Sequence, residues 1–518
     1  MNKYFTLAVK VAIITVLGSA MLTACRKNDA NRADNSTPTA SSVVSDEDSL
    51  KYLMYRIMQV TYINGGRNKT TDLPTYLWYN QVPQLDPSSS NYASADNLLE
   101  TMKSYSVSNG QVLDRYSFLD RTGSLSSSLQ DGLSETFNKV SATGNYGMEV
   151  SYASDGSKSY LYIVYADKNS PAGRKGLNRG DEITAINGDT NLSYDGGSNV
   201  DKVTNAIYYS TSVTLKVKKA ITGTVATYTL TSGSFNINPV LFDTVYTVNG
   251  QKTGYFVFYT FTNTFNTKGA ATLTKSTLDA LFSRFKSAGI TNLIVDLRYN
   301  GGGSVTTAEY LDSAIAPAAA ARKPMYYYKY NDKLTANLDG TGLEASVSFP
   351  SSTGGLSLNN VFFITSSHTA SASELTLNNL MPYMNVKLVG DTTYGKPVGF
   401  ITFNISKYDS THTKQYLADL YAINFATENA NRSGGYYKGI APDEAANDYI
   451  NVPWGYRTDD ENLDKIFNYI STGSFGRTSA NARVLTQSTT SLRAALPRSI
   501  TSPKFNGMVD YRIGKRIQ

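Results

Sequence analysis

Cysteine is nearly missing from this 518-residue chain: Cys25 is the single one, so no disulfide can form within it. Histidine is almost as scarce, with only His368 and His412. That removes most candidates for the usual base beside a nucleophilic hydroxyl, and it leaves no His/Cys cluster at metal-ligand spacing. No metal and no organic cofactor is expected. Long apolar runs are lacking too; residues 11–21 form one that is too short for a stable membrane span. Nor is charge of one sign concentrated anywhere. The net charge of +6 is small for this length and the basic residues are scattered, which argues against a nucleic-acid partner.

What is present reads as a globular chain, with 41% hydrophobic and 17% charged residues and room for about two to four domains. The 38 tyrosines fit an exported, β-rich protein but identify no function. At the N-terminus, Lys3 and Lys10 precede an apolar run that ends in Leu22-Thr23-Ala24-Cys25. Residues 26–44 follow, rich in Asn, Ser, Thr, Asp and Ala, and read as a flexible tether.

The chain is organised around residues 365–396. Val361, Phe362, Phe363 and Ile364 make a buried-strand run, and Thr369-Ala370-Ser371-Ala372-Ser373-Glu374 opens a helix with Leu375, Leu377, Leu380 and Met381 on its apolar side. A serine at that junction sits at a helix N-terminus, where unpaired N–H groups favour developing negative charge. A second strand, Val386 to Val389, leads to Gly395-Lys396-Pro397. A serine hydroxyl needs a base. His368 lies on the same turn, three residues away, which is a poor position for one. A lysine made neutral by burial can serve instead, and Lys396 is the lysine of this stretch framed by glycine and proline.

These motifs resemble the serine–lysine signature of the carboxy-terminal processing, or tail-specific, peptidases, including the 25 positions between Ser371 and Lys396. Asp296-Leu297-Arg298-Tyr299-Asn300-Gly301-Gly302-Gly303 resembles a second signature of that family and lies upstream in the expected order. The resemblance covers roughly residues 50–470. It implies an oxyanion hole built from the amide after the nucleophile, Ala372, and a glycine amide, Gly302 or Gly303. Without a Cβ, such glycines let backbone N–H groups approach a substrate oxygen. A tight turn or a phosphate loop is the plainer reading, although no Gly-Lys-Ser/Thr follows. The chain departs from the family's best-known pattern at Phe400, where a glutamine would orient the lysine. Ser373 is a candidate substitute for that role.

Ser170-Pro171-Ala172 and Asn187-Gly188, within a region of short strands, resemble a PDZ domain of the permuted bacterial type. Such modules add an extended peptide as a strand and capture its terminal carboxylate on backbone N–H groups. Tyr146-Gly147-Met148 is the candidate carboxylate loop. Leu22 to Cys25 resembles a lipobox, implying cleavage before Cys25, its acylation, and a membrane contact through that anchor. With no aspartate after Cys25, the family pattern points to the outer membrane.

The expected layout is a multidomain α+β chain. It has a lipoprotein signal peptide (1–25), a tether (26–44), a small helical N-terminal domain (45–135) and a PDZ-like β-rich module (136–240). A ClpP/crotonase-like α/β catalytic domain (241–471) and a tail without strong periodicity (472–518) complete it. Thr274 is the expected cap of a helix carrying Leu278, Leu281, Phe282 and Phe285. The expected activity is a serine endopeptidase of the bacterial envelope acting on polypeptides through their C-terminal ends. Two alternatives stand beside it: a peptide-binding envelope lipoprotein with little turnover, and a serine hydrolase using His368 as base.

Overall fold

The computed structural model describes residues 45–61, 66–67, 74–75, 85–108, 111–112, 114–134, 146–336, 338–457, 459–475 and 505–512. The signal and tether, Cys25 with them, and residues 476–504 of the expected tail lie outside the described residues.

Helix α1 (Asp46–Thr61) buries Leu50, Met54 and Met58, spaced four apart on one face. Helix α2 (Ala95–Ser104) is capped by the Ser94 side chain, which accepts the Asn97 N–H, and buries Leu98, Leu99 and Met102 in the same core. Strand β1 (Phe118–Asp120) and helix α3 (Ser124–Asp131) follow. The expected boundary near residue 135 does not isolate these elements. Strand β1 pairs with residues 419–421 of a catalytic-region strand, and the Phe118 and Tyr421 rings stack in parallel 4.8 Å apart. Burying that aromatic pair ties the helical segment into the larger sheet.

The next region holds strands β2 (Met148–Ser154), β3 (Ser159–Ala166) and β4 (Glu182–Ile186), helix α4 (Ser198–Tyr208), and strands β5 (Ser212–Lys218) and β6 (Val225–Thr231). They form an antiparallel sheet ordered β6-β5-β4-β3-β2. Alternation sets the inward face, with Val213, Leu215 and Val217 buried between exposed or half-buried neighbours. Asn187 (φ 51°) and Gly188 (φ 86°) make the tight turn that their sequence announces.

The third region runs β7 (Val240–Val248), β8 (Gln251–Phe258), α5 (Leu273–Ala288), β9 (Asn292–Asp296), β10 (Gly302–Ser304), α6 (Val305–Ile315), β11 (Pro324–Lys329), β12 (Ser346–Ser348), β13 (Asn360–Thr365), α7 (Ala372–Leu380), β14 (Val386–Gly390), β15 (Val398–Tyr408), β16 (Lys414–Asn429), β17 (Glu444–Ala445), α8 (Glu461–Thr472) and β18 (Gly507–Val509). One sheet is ordered β7-β8-β9-β13-β14-β17 and is parallel apart from the β7–β8 hairpin. Its strands read as unbroken apolar runs because both faces are covered. Leu293, Val295, Val361 and Phe363 enter the core shared with α5 and α7, whereas Ile294, Phe362 and Ile364 enter the one shared with α8. Helix α5 is capped by Thr272, not Thr274. The Thr272 hydroxyl reaches the Lys275 N–H, while Thr274 is buried and shares a hydrogen bond with Thr262.

The second sheet is ordered β10-β18-β15-β16-β11-β12, with β1 on β16. The absence of periodicity after residue 472 misleads at one place: residues 507–509 are a fully buried strand inside this sheet. A three-residue strand is too short to show a period.

Candidate active site

The two signature loops leave the parallel ends of adjacent strands, β9 and β13, which places them side by side. Hydrogen bonds then stitch them together. Thr369 Oγ1 donates to Leu297 O (2.8 Å), the Ala370 N–H to Asn300 O (3.0 Å), and Ser373 Oγ to the same Asn300 O (3.0 Å). Ser366 Oγ also donates to Arg298 O. The Tyr394 N–H donates to Thr369 O (2.9 Å), bringing the lysine loop onto the serine loop.

Ser371 is fully buried at the entrance to α7, with φ 61° and ψ −105°. A non-glycine residue in that region is strained and persists only where its surroundings enforce it. Its N–H donates to Glu374 Oε2 (2.7 Å), while its Oγ has no hydrogen-bond partner. Ser371 and Glu374 have the layout of a capping box at the start of α7, but only its Glu374 arm is a close hydrogen bond. Every residue of α7 is buried, and both of its asparagine side chains donate inward: Asn379 to Asp312, and Asn378 to Ser433 O. The one-sided apolar face expected for this helix is therefore not what the fold uses, and Met381, counted on that face, is exposed.

Lys396 is also fully buried. Its position is set by Gly395, whose φ of 87° suits glycine and where a Cβ would lie 2.6 Å from Gly439 N and Tyr437 O. Glu374 joins the two loops. Its Oε2 accepts the N–H groups of both Ser371 (2.7 Å) and Lys396 (2.9 Å), and its Oε1 accepts the Gly395 N–H (2.7 Å) and the Thr393 hydroxyl (2.6 Å). Burial raises the Glu374 carboxyl above its usual range, against these four donors.

The Lys396 ammonium position is walled by rings. Nζ lies 3.9 Å from the Phe400 centroid, 4.7 Å from that of Tyr116 and 5.9 Å from that of Phe505, and it donates to Asn506 O (2.7 Å). Desolvation pushes this amine well below its ordinary range; Asp114 and Glu374 oppose the shift, and Arg115 adds to it. A cation over desolvated rings gains about 2 kcal/mol. Removing an ammonium from water costs several kcal/mol. Desolvation therefore outweighs the ring contacts, and the amine gives up its proton more easily than an exposed lysine does. Phe400 acts here as part of a dry wall where the family pattern has a polar side chain.

The glycine loop provides the third part. The Gly302 N–H donates to the Asn300 side-chain oxygen (2.9 Å), so that amide is already committed, contrary to the expectation that included it. Gly302 O and the Ser304 N–H both bond Phe261. Strand amides alternate in direction, so the Gly303 N–H points the other way, toward the side where Gly507 pairs with Gly302. A Cβ on Gly302 would lie 2.9 Å from Ala372 N, which puts the Ala372 amide against the same loop. Of the amides expected at an oxyanion hole, those of Gly303, on the β18 side, and Ala372 are the two that Asn300 Oδ1 does not hold.

Other expectations fare differently. His368 is exposed and stacks on Tyr299, with centroids 6.3 Å apart, and it makes no hydrogen bond to the Ser371 hydroxyl. Ser373 is committed to Asn300 and does not hold the lysine. Tyr146 and Gly147 form a tight loop closed by Ser170 and Phe235, and Met148 begins β2, the outer strand of its sheet. Glu374, Tyr116, Phe505 and Asn506 belong to the site as well, beyond the residues that the motifs point to. Glu374 had a signal, since Ser-x-x-Glu before an apolar run is a capping pattern. Tyr116 lies hundreds of residues from Gly395, whose carbonyl accepts its hydroxyl (2.9 Å).

Behind the site lies a buried charge cluster. Arg298 bonds Asp296 (2.6 Å), Asp460 (2.7 Å) and Asp448 (2.9 Å), and Arg179 of the β2–β6 region bonds Asp448 (2.6 Å). The Trp454 ring lies 4.2 Å from the Arg179 guanidinium and 5.3 Å from that of Arg298. Burial would raise the Asp448 carboxyl, but the two arginines outweigh it and hold it down at about 2.

No curated protein matches this sequence. Among solved structures, a protein of Bacteroides fragilis NCTC 9343 assigned to the S41 proteases is 22% identical over 85% of this chain and 99% of its own, with a TM-score of 0.59, so the two share a fold. The photosystem II D1 C-terminal processing protease aligns at 16% identity over 78% of this chain and 93% of its own, with a TM-score of 0.41. Residues 252–446, which carry Ser371, Lys396 and the glycine loop, match the profile of peptidase family S41 and support reading the site as that of a serine peptidase.

Proposed function

We propose that the protein is a serine endopeptidase with Ser371 as nucleophile and Lys396 as general base. One observation carries this reading: a strained, buried serine with an uncommitted hydroxyl and a desolvated lysine are both fastened by their backbones to one carboxylate oxygen of Glu374. Neutral Lys396 takes the Ser371 proton as Oγ bonds to the peptide carbonyl carbon. The Gly303 and Ala372 amides receive the oxyanion, each such donor being worth about 3–4 kcal/mol of barrier. Lysine then returns the proton to the leaving amine as the C–N bond breaks. In the second half, Lys396 takes a proton from water as its oxygen attacks the acyl ester; the C–Oγ bond then breaks, Ser371 Oγ takes the proton back from Lys396, and the carboxylic acid leaves.

Polypeptide substrates suit the site, because β10 and β15 already hold an extended segment, β18, between them as a strand. In this reading the β2–β6 region, with Tyr146-Gly147-Met148 at the start of its outer strand, engages C-terminal ends. Acylated Cys25 anchors the chain in the bacterial envelope, at the outer membrane. Polypeptide and membrane are then the partners, with no nucleic acid.

The test is hydrolysis of an unfolded protein by the full chain, its Ser371→Ala and Lys396→Ala variants, and Cys25→Ala for partition into detergent. Substrates with free and amidated C-termini are compared. Loss of activity in both site variants and preference for the free C-terminus are expected. Equal background in all chains sinks the peptidase and leaves a peptide-binding protein, the reading the Phe400 departure allows.

A further inference from the structure

The slot between β10 and β15 is filled by the chain itself. These two strands meet only through β18, which runs parallel to both, with Gly302 opposite Gly507, Ser304 opposite Val509, and Phe400 opposite Val509. β10 is the glycine strand of the oxyanion site, and β15 begins two residues after Lys396. An extended peptide reaching Ser371 by strand addition would take this same place.

The polar contacts of residues 505–512 fall on the proposed machinery. Asn506 O accepts from Lys396 Nζ (2.7 Å), the Gly507 N–H donates to Gly301 O (2.9 Å), and the Asp510 N–H donates to Phe400 O (3.0 Å). The point where a Gly302 Cβ would stand is 2.5 Å from Gly507 O and 2.9 Å from Ala372 N, so the Gly507 carbonyl lies against the oxyanion amides. Beyond the strand the segment is latched. Arg512 forms a two-pronged bond with Glu309 of α6 (2.7 and 3.0 Å), and buried Asp510 accepts the Tyr328 hydroxyl. With the segment seated, Ser371 and Lys396 are both fully buried.

We infer that residues 505–512 are an intramolecular occupant of the substrate slot, holding the base on Asn506 O and excluding other polypeptides until the segment is displaced. This rests on the peptidase reading for its consequence, but the occupancy can be tested without turnover. A site open only part of the time shows a rate lowered by the open fraction, and releasing the occupant restores it.

Two variants of the full chain release the segment from opposite ends. Arg512→Ala removes the latch. Gly507→Val places a side chain where a Cβ already meets the Phe505 and Phe400 rings at 2.3 and 2.8 Å. Each should raise kcat/KM on an unfolded protein about 10-fold or more. The second measurement uses a labelled synthetic peptide of residues 501–518 against chains that also carry Ser371→Ala. It should bind the released chains and not the chain with its own segment seated. Released chains that melt like wild type, show the same Ser371-dependent rate and bind no peptide would overturn the inference. If no chain shows Ser371-dependent hydrolysis, the peptidase reading fails, and peptide binding alone then decides occupancy.

Discussion

Lys396 and Arg298 are two basic side chains buried to the same degree, and they lie in opposite surroundings. Arg298 meets three carboxylates, and although burial alone would lower it, Asp296, Asp460 and Asp448 hold its guanidinium well above its ordinary value. Lys396 meets three aromatic rings and one carbonyl, and burial leaves its amine easy to deprotonate. Burial therefore does not decide charge by itself; the partners buried with the group decide it. One region spends its charge on joining segments, and in the other the surroundings disfavour charge.

The comparison can be broken most directly at Lys396. Lys396→Met keeps the length and removes the base, so kcat should fall about 10²–10⁴-fold. Folding stability at neutral pH should hold or rise by about 1–4 kcal/mol, since a buried amine is replaced by an apolar chain. A large loss of stability, read by urea unfolding, would mean that the amine is charged and paired.

Arg298→Met should do the reverse. It leaves the buried Asp296 and Asp460 carboxylates without their arginine, with Asp448 still held by Arg179, and should cost about 3–5 kcal/mol of stability, whereas catalysis by chains that remain folded should change far less than in Lys396→Met.

The pH dependence is the finest of the three tests. Because Lys396 is lowered in the folded state, kcat/KM should rise with pH and level off below the ordinary lysine value of 10.5. Between the folded pKa and 10.5 the unfolded chain binds a proton that the folded chain does not. Wild type should therefore gain stability relative to Lys396→Met as pH rises through that window, and the gain should level off above it. A flat profile would place Lys396 with Arg298, as a permanently charged group.

Much of the site could be read along the chain. Ser371, Lys396 and the glycine loop lie in short local motifs, and strand-then-helix chemistry at each is local too. Glu374 was legible as a capping residue, but its reach to Gly395 and Lys396 was not, because capping rules describe a single helix. Thr272 and Thr274 show the same limit at small scale: both can cap, and burial beside Thr262 decides between them. Tyr116 and Asn506 carry no local sign of their place beside Lys396, since an aromatic ring or a carbonyl comes to line a buried amine only through contacts made far along the chain.

Ser371, Lys396, the order of the motifs and the alternation of strands and helices are all readable locally, because each depends on residues within about one turn or one strand of each other. Packing across the fold sets the rest: Lys396 lies among rings, the Gly302 N–H is held by Asn300, and residues 507–509 complete the sheet beside Ser371. Those outcomes depend on which surfaces pack together, and short-range pattern does not encode the packing of surfaces that meet across hundreds of residues.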